Sequence, residues 1–124
     1  MPIHTTTSTR SRGHTAETLA CDYLQRQGLK LVMRNYTCKV GELDLIMQDA
    51  AQLVFVEVRS RRASQHGTPV DTITADKQRR LIRAAEHYLQ RYQVDQACRF
   101  DVVGITYHND RVQVDWVPNA IQAH

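Results

Sequence analysis

The chain switches between a helical and a two-residue hydrophobic period, and the switches mark out its elements. From His14 to Gln27, Ala16, Leu19, Ala20, Tyr23 and Leu24 recur at helical spacing, and Gly28 supplies a C-terminal stop. Leu29–Arg34, Glu42–Met47 and Leu53–Arg59 are predicted strands, with Gln48–Gln52 as the loop of a hairpin. Ser60–Asp71 contains Gly67 and Pro69 and reads as a loop. Thr74 can cap a helix that runs to Tyr92. Cys98–Thr106 and Arg111–Val117 follow as two strands joined through His108-Asn109-Asp110. The order α-β-β-β-α-β-β puts a long helical crossover between the third and fourth strands, which predicts an α/β domain.

Two carboxylates disturb this pattern. Alternation places Glu42 and Asp44 on one strand face and Leu43, Leu45 and Met47 on the other, as in any half-exposed strand. Glu57 is harder to accommodate, because it interrupts LVFVEV, a run of the kind found where both sheet faces are covered. A carboxylate there needs a cation. Arg59, two residues on and on the same face, offers a structural salt bridge. The functional alternative is a divalent metal held jointly by Asp44 and Glu57. Mg²⁺ is commonly bound by one or two carboxylates, waters and substrate phosphate oxygens.

On the second predicted helix, Leu81, Ile82, Ala84, Ala85, Tyr88, Leu89 and Tyr92 fill one arc of the wheel, and Lys77 and Gln78 fall inside it. Both are therefore turned toward the sheet at the helix N-terminus, an end that favours anions. Snorkelling at the end of the stripe is the plain alternative for Lys77. Arg79, Arg80 and Arg83 fall outside the arc, as a solvated row. Glu17 flanks the first helix's apolar stripe, where a boundary glutamate is the commoner reading.

Composition narrows the classes. The 124 residues, 42% hydrophobic and 23% charged, suit one globular domain. No apolar run approaches the ~20 residues that span a bilayer. The N-terminal MPIHTTTSTRSR lacks a signal peptide's apolar core, and residues 1–12 are expected as a mobile tail. Cys21, Cys38 and Cys98 form no CxxC pair, which argues against a disulfide framework or zinc site and for a reducing cytoplasm. The net charge of +3 is modest. Its concentration between Arg59 and Arg83 points to a polyanion such as nucleic acid.

GELDLI, VFVEVRSRR, the Lys77–Tyr88 helix and RFDVVGI, in order and with fitting spacing, resemble the YraN family of small bacterial proteins. The resemblance covers Gly13 to Ala120. It implies a place in the PD-(D/E)xK nuclease superfamily, near archaeal Holliday-junction resolvases. The implied fold is a restriction-endonuclease-like α-β-β-β-α-β core, a mixed central sheet flanked by helices, with an extra C-terminal strand. One nuclease-like domain over 13–120, between tails at 1–12 and 121–124, is expected. The superfamily aspartate falls on Asp44, its (D/E)xK on Glu57-Val58-Arg59, and the helix glutamate of resolvase-like members on Glu17. The resemblance thus implies Mg²⁺ or Mn²⁺ held by Glu17, Asp44, Glu57 and the Val58 carbonyl.

Asp44, Glu57, Arg59 and Lys77 become the candidate catalytic residues. Arg59, Arg61, Arg62 and Gln78 become the candidate nucleic-acid contacts. DNA, branched or single-stranded, is the implied partner, and resolvase likeness implies a homodimer. Two departures matter: Leu43 stands where the superfamily has proline, and Arg59 where it has lysine. Arginine stabilises charge but does not readily give up a proton, so Lys77 is the candidate displaced amine. The expected function is a cytoplasmic, metal-dependent nuclease. The alternatives are a nucleic-acid-binding module whose catalysis has lapsed, and a structural domain whose Glu57–Arg59 pair holds the sheet.

Overall fold

A computed structural model describes residues 3–6, 12–65 and 67–122. Its elements are β1 (Ile3–Thr6), α1 (Arg12–Arg26), β2 (Lys30–Cys38), β3 (Gly41–Asp49), β4 (Gln52–Arg62), α2 (Ala75–Arg91), β5 (Cys98–His108) and β6 (Arg111–Ile121). The six strands form one sheet in the order β1-β6-β5-β4-β3-β2. Among the described strands only β4 and β5 pair in parallel, joined by the α2 crossover; the other neighbours are antiparallel. This is the expected mixed α/β architecture, compatible with a restriction-endonuclease-like core extended by a C-terminal strand. No described helix is long and apolar enough to cross a membrane.

The two helices cover opposite faces of the sheet. Ala16, Ala20, Tyr23 and Leu24 of α1 pack on Leu45, Met47, Val54, Val56, Val103 and Ile105. Leu81, Ala84, Ala85 and Tyr88 of α2 pack on Leu43, Ile46, Phe55, Phe100 and Val102. Both faces of β4 are thus buried, which is why its sequence runs apolar without alternation. The β2–β3 turn lies against α2: a Cβ on Gly41 would sit 3.1 Å from the Arg80 carbonyl oxygen.

Several strands outrun their sequence signal. β2 continues past Arg34 because Asn35, at φ 55°, bends the chain without ending the pairing, and Tyr36 still faces Leu43. β4 continues to Arg62 because Arg59–Arg62 remain paired with Gly104–Tyr107, and a ladder needs backbone rather than apolar side chains. Within the stretch expected as an N-terminal tail, Ile3–Thr6 pairs with β6 as an edge strand. Residues 1–2 and 7–11, His66, and residues 123–124 of the expected C-terminal tail lie outside the described residues.

The alternation expected for β3 fails. Leu43 packs on the α2 side whereas Leu45 and Met47 pack on the α1 side. The cause lies at Asp44. The β3–β4 ladder ends at Leu45 and Val56, and the next inward-pointing donor, the Val58 N–H, bonds the Asp44 carboxylate at 2.8 Å. A side chain takes the place of a strand carbonyl, the strands part, and β3 turns its side chains over.

Candidate active site

Where β3 leaves β4, the sheet opens beside the first turn of α2, and the acidic residues meet there. Glu57 shares the α2 face with Phe55, two residues before it, and is 5% exposed. Asp44 reaches the same place from β3, fixed by the Val58 N–H. Within a strand a residue's N–H and C=O point to the same side, so the Val58 carbonyl faces this opening too. Thr74 caps α2 by accepting the Lys77 N–H at 3.1 Å. The cap sets the first turn, and Lys77 Nζ lies 3.7 Å from Glu57 Oε2. Arg59 Nη1 approaches the same oxygen at 3.3 Å. No cation or N–H reaches the other oxygen, Glu57 Oε1, which is buried; the neighbouring Asp44 carboxyl can hydrogen-bond Glu57 when one of the two is protonated.

Two carboxyl groups so placed do not ionise together easily. Burial pushes Glu57 up, the Asp44 charge pushes it further, and Lys77 and Arg59 only partly oppose this, leaving it at about 7. Asp44 is also raised, again mainly by burial, with the Val58 N–H and Glu57 pulling the other way. The pair therefore tends to keep one proton between its two carboxyls. Glu17 is raised as well, by burial and then by the Asp44 charge. It lies 3.8 Å from Arg34, which opposes the shift.

This donor set suits a hard divalent cation, which would replace the shared proton and satisfy the orphaned Oε1. It is a sparse set. Among the described residues no three His, Cys, Asp or Glu side chains gather closely enough to hold a metal. Asp44, Glu57 and the Val58 carbonyl are what the chain offers at the opening, with Glu17 linked to them through Asp44's field.

The other predicted residues separate. Arg59 is tied to Thr72 as well as to Glu57: its Nε–H donates to Thr72 Oγ1 at 3.0 Å and Nη2–H to the Thr72 carbonyl at 3.4 Å. Gln78 does turn inward, but its amide donates to the Ile73 carbonyl at 3.2 Å, serving the helix start. Arg61 is half-buried and lies in the field of Asp71. Arg62 is exposed and lines an open cleft of about 460 Å³ with Ser64, Tyr107, His108 and Asn109. Arg61 and Arg62 together border a second open cleft with Ser60, Gln65 and Tyr107.

Thr72 was not legible in the sequence, because its tie to Arg59 joins a loop to a strand. Asp101 left a signal that can be read: Arg99 stands two residues before it, the spacing of Glu57 and Arg59. Asp101 is 0% exposed and accepts from Arg99, from Trp116 Nε1 at 2.9 Å and from the Asn119 N–H at 2.8 Å.

The chain matches the family model described as "Uncharacterised protein family UPF0102" over residues 16–105, a span holding Glu17, Asp44, Glu57, Arg59 and Lys77. It is 51% identical to a UPF0102 protein of Nitrosococcus oceani over 91% of this chain and 93% of that protein. A UPF0102 protein of Coxiella burnetii is 53% identical over 92% of this chain and 94% of its own length. One from Herminiimonas arsenicoxydans is 50% identical over 90% and 86%. The YraN proteins, which the strand motifs resemble, are this same family.

Proposed function

Because the chain belongs to the uncharacterised protein family UPF0102, we propose its function from the site itself: metal-dependent hydrolysis of phosphodiester bonds in DNA. One observation carries this reading. Glu57 is a buried carboxyl with an orphaned oxygen, placed beside a second carboxyl and beneath two cations. A purely structural ion pair would satisfy that oxygen, since a buried acceptor without a donor costs about 1–3 kcal/mol.

Asp44, Glu57 and the Val58 carbonyl would hold Mg²⁺ or Mn²⁺, with Glu17 adjusting the field. When bound, the ion supplies Lewis-acid polarisation of a phosphoryl oxygen and lowers the pKa of water. Arg59 faces the negative charge that develops on the phosphoryl oxygens, and its guanidinium is a fixed cation. Lys77 is the amine beside Glu57, placed to hand a proton to or take one from the reacting oxygens. Arg61 and Arg62 contact flanking phosphates, which positions the strand without reading its sequence. Branched or single-stranded DNA is the substrate, and a homodimer the working form, on resolvase likeness. The free Cys21, Cys38 and Cys98 suit a reducing cytoplasm.

Arg59 favours a second reading, because it replaces a lysine that could exchange protons: a nucleic-acid-binding module on a nuclease scaffold. A panel of duplex, single-stranded, flap and four-way-junction DNA with each metal separates the two. Cleavage that falls about 100-fold or more in Asp44→Ala and in Glu57→Ala is the expected result. Carboxylate-dependent metal binding and DNA binding without cleavage would select the second reading. Cleavage that survives both substitutions would place the chemistry elsewhere.

A further inference from the structure

Between β4 and α2 the chain passes over β5 on the α2 side of the sheet. Pro69 is buried there against Gly104, where an added Cβ would lie 2.2 Å from Pro69 Cγ and 2.8 Å from its Cβ. No side chain fits in that space. The crossing segment is closed on itself. The Thr68 N–H donates to Asp71 Oδ2 at 2.9 Å, the Asp71 N–H to Thr68 Oγ1 at 3.3 Å, and the Thr72 hydroxyl to the Pro69 carbonyl at 2.6 Å. The last bond commits the Thr72 proton, so its oxygen presents lone pairs to Arg59 Nε–H, 3.0 Å away. Gly104 is also the cross-strand partner of Arg59 in the β4–β5 ladder. The seat of the segment and the residue it holds are therefore adjacent.

We propose that residues 68–72 form a strap that positions Arg59. Gly104 seats Pro69, Pro69 places Thr72, and Thr72 fixes the guanidinium plane with one nitrogen on Glu57. Three of the five guanidinium N–H groups are then engaged, by Thr72 Oγ1, the Thr72 carbonyl and Glu57. Among the described residues the remaining two have no hydrogen-bond partner, and they are the ones left for a phosphate. Thr72 is exposed, so its bond adds orientation more than stability. The strap also explains why arginine suits this place. Its donors sit on separate nitrogens of a rigid fork and span Thr72 and Glu57 together, whereas a lysine's three donors share one atom.

The positioning rests on the phosphodiester reading only for its purpose, and it is measured without cleavage. Hydrogen exchange of Arg59 Nε–H, followed by ¹⁵N NMR, should be slow in the wild type and about tenfold faster in Thr72→Val, the factor one charged hydrogen bond is worth. Thr72→Ser, which keeps the hydroxyl, should restore slow exchange. Gly104→Ala should accelerate it as Thr72→Val does, because Pro69 then loses its seat and Thr72 moves with it. Wild-type exchange as fast as in a solvent-exposed arginine, or unchanged in Thr72→Val, overturns the strap. If Gly104→Ala does not fold, the two Thr72 variants alone decide. Where DNA cleavage is present, Thr72→Val should lower kcat about tenfold with KM unchanged. Slow, Thr72-dependent exchange in a protein that cuts nothing would leave the strap standing and remove the nuclease reading.

Discussion

β4 and β5 are parallel neighbours, and each carries an acid and an arginine two residues apart: Glu57 with Arg59, and Arg99 with Asp101. Both acids are buried, at 5% and 0% exposure. Their surroundings are opposite. Asp101 receives Arg99 on both oxygens (Nε to Oδ1 at 2.9 Å, Nη2 to Oδ2 at 3.1 Å), and β6 adds Trp116 and Asn119. Arg99 is itself shared with Asp49 at 3.1 Å and Gln52 at 2.9 Å. Glu57 instead has one oxygen with two loosely placed cations, one oxygen that no cation or N–H reaches, and a second carboxyl beside it with which it shares a proton. Burial does not separate the two acids. Satisfaction of their lone pairs does.

If that distinction holds, the two acids respond oppositely to removal. Asp101→Ala should cost about 3–5 kcal/mol, because it leaves the Trp116 Nε1–H and Asn119 N–H donors without their acceptor and takes the bidentate partner from Arg99, and urea denaturation would show it. Glu57→Gln should cost nothing comparable; an equal loss would put both acids in the same class. The pH dependence follows from the site's own shift. The folded Glu57 carboxyl stands at about 7 against 4.5 unperturbed, so the folded state binds its proton more tightly. That contribution is fully present below pH 4.5 and is lost as pH rises through 7. The wild type should therefore lose on the order of 3 kcal/mol relative to Glu57→Gln across that window, and a flat difference curve would contradict it.

Metal should reverse this loss. At pH 8, Mn²⁺ at a hundred times its Kd should stabilise the wild type by about 2.7 kcal/mol and leave Glu57→Gln unmoved in thermal melts. Stabilisation of both would locate the ion away from Glu57. The smallest effect belongs to the Thr74 cap that sets Lys77's turn. Thr74→Ala should cost about 1 kcal/mol by denaturant titration, and a loss as large as that of Asp101→Ala would mean the site is structurally as tight as the Asp101 cluster.

The sequence made some of this legible for identifiable reasons. The wheel of α2 turned Lys77 inward, and Lys77 does reach Glu57. It turned Gln78 inward too, yet Gln78 bonds the Ile73 carbonyl, because a wheel gives a direction and not a partner. Arg59, Arg61 and Arg62 read as one basic run. Only Arg59 is tied to Glu57, whereas Arg61 and Arg62 border an open cleft with Gln65 and Tyr107. The regular alternation assigned to β3 failed because Asp44 supplies a side-chain acceptor where the ladder would have continued. Pattern rules assume that a strand stays paired.

From its sequence alone the chain determined the order of strands and helices from α1 onward, the doubly buried β4 run, and the need of Glu57 for a cation; the edge strand β1 was not legible there. Those follow from periodicity and composition within a few residues, where local sterics and desolvation decide. The tertiary structure alone decided which acid–arginine pair is satisfied, where β3 parts from β4, and how Thr72 reaches Arg59. Each depends on atoms brought from distant elements to within about 3 Å, and hydrogen-bond strength falls too steeply with distance for any local pattern to encode it.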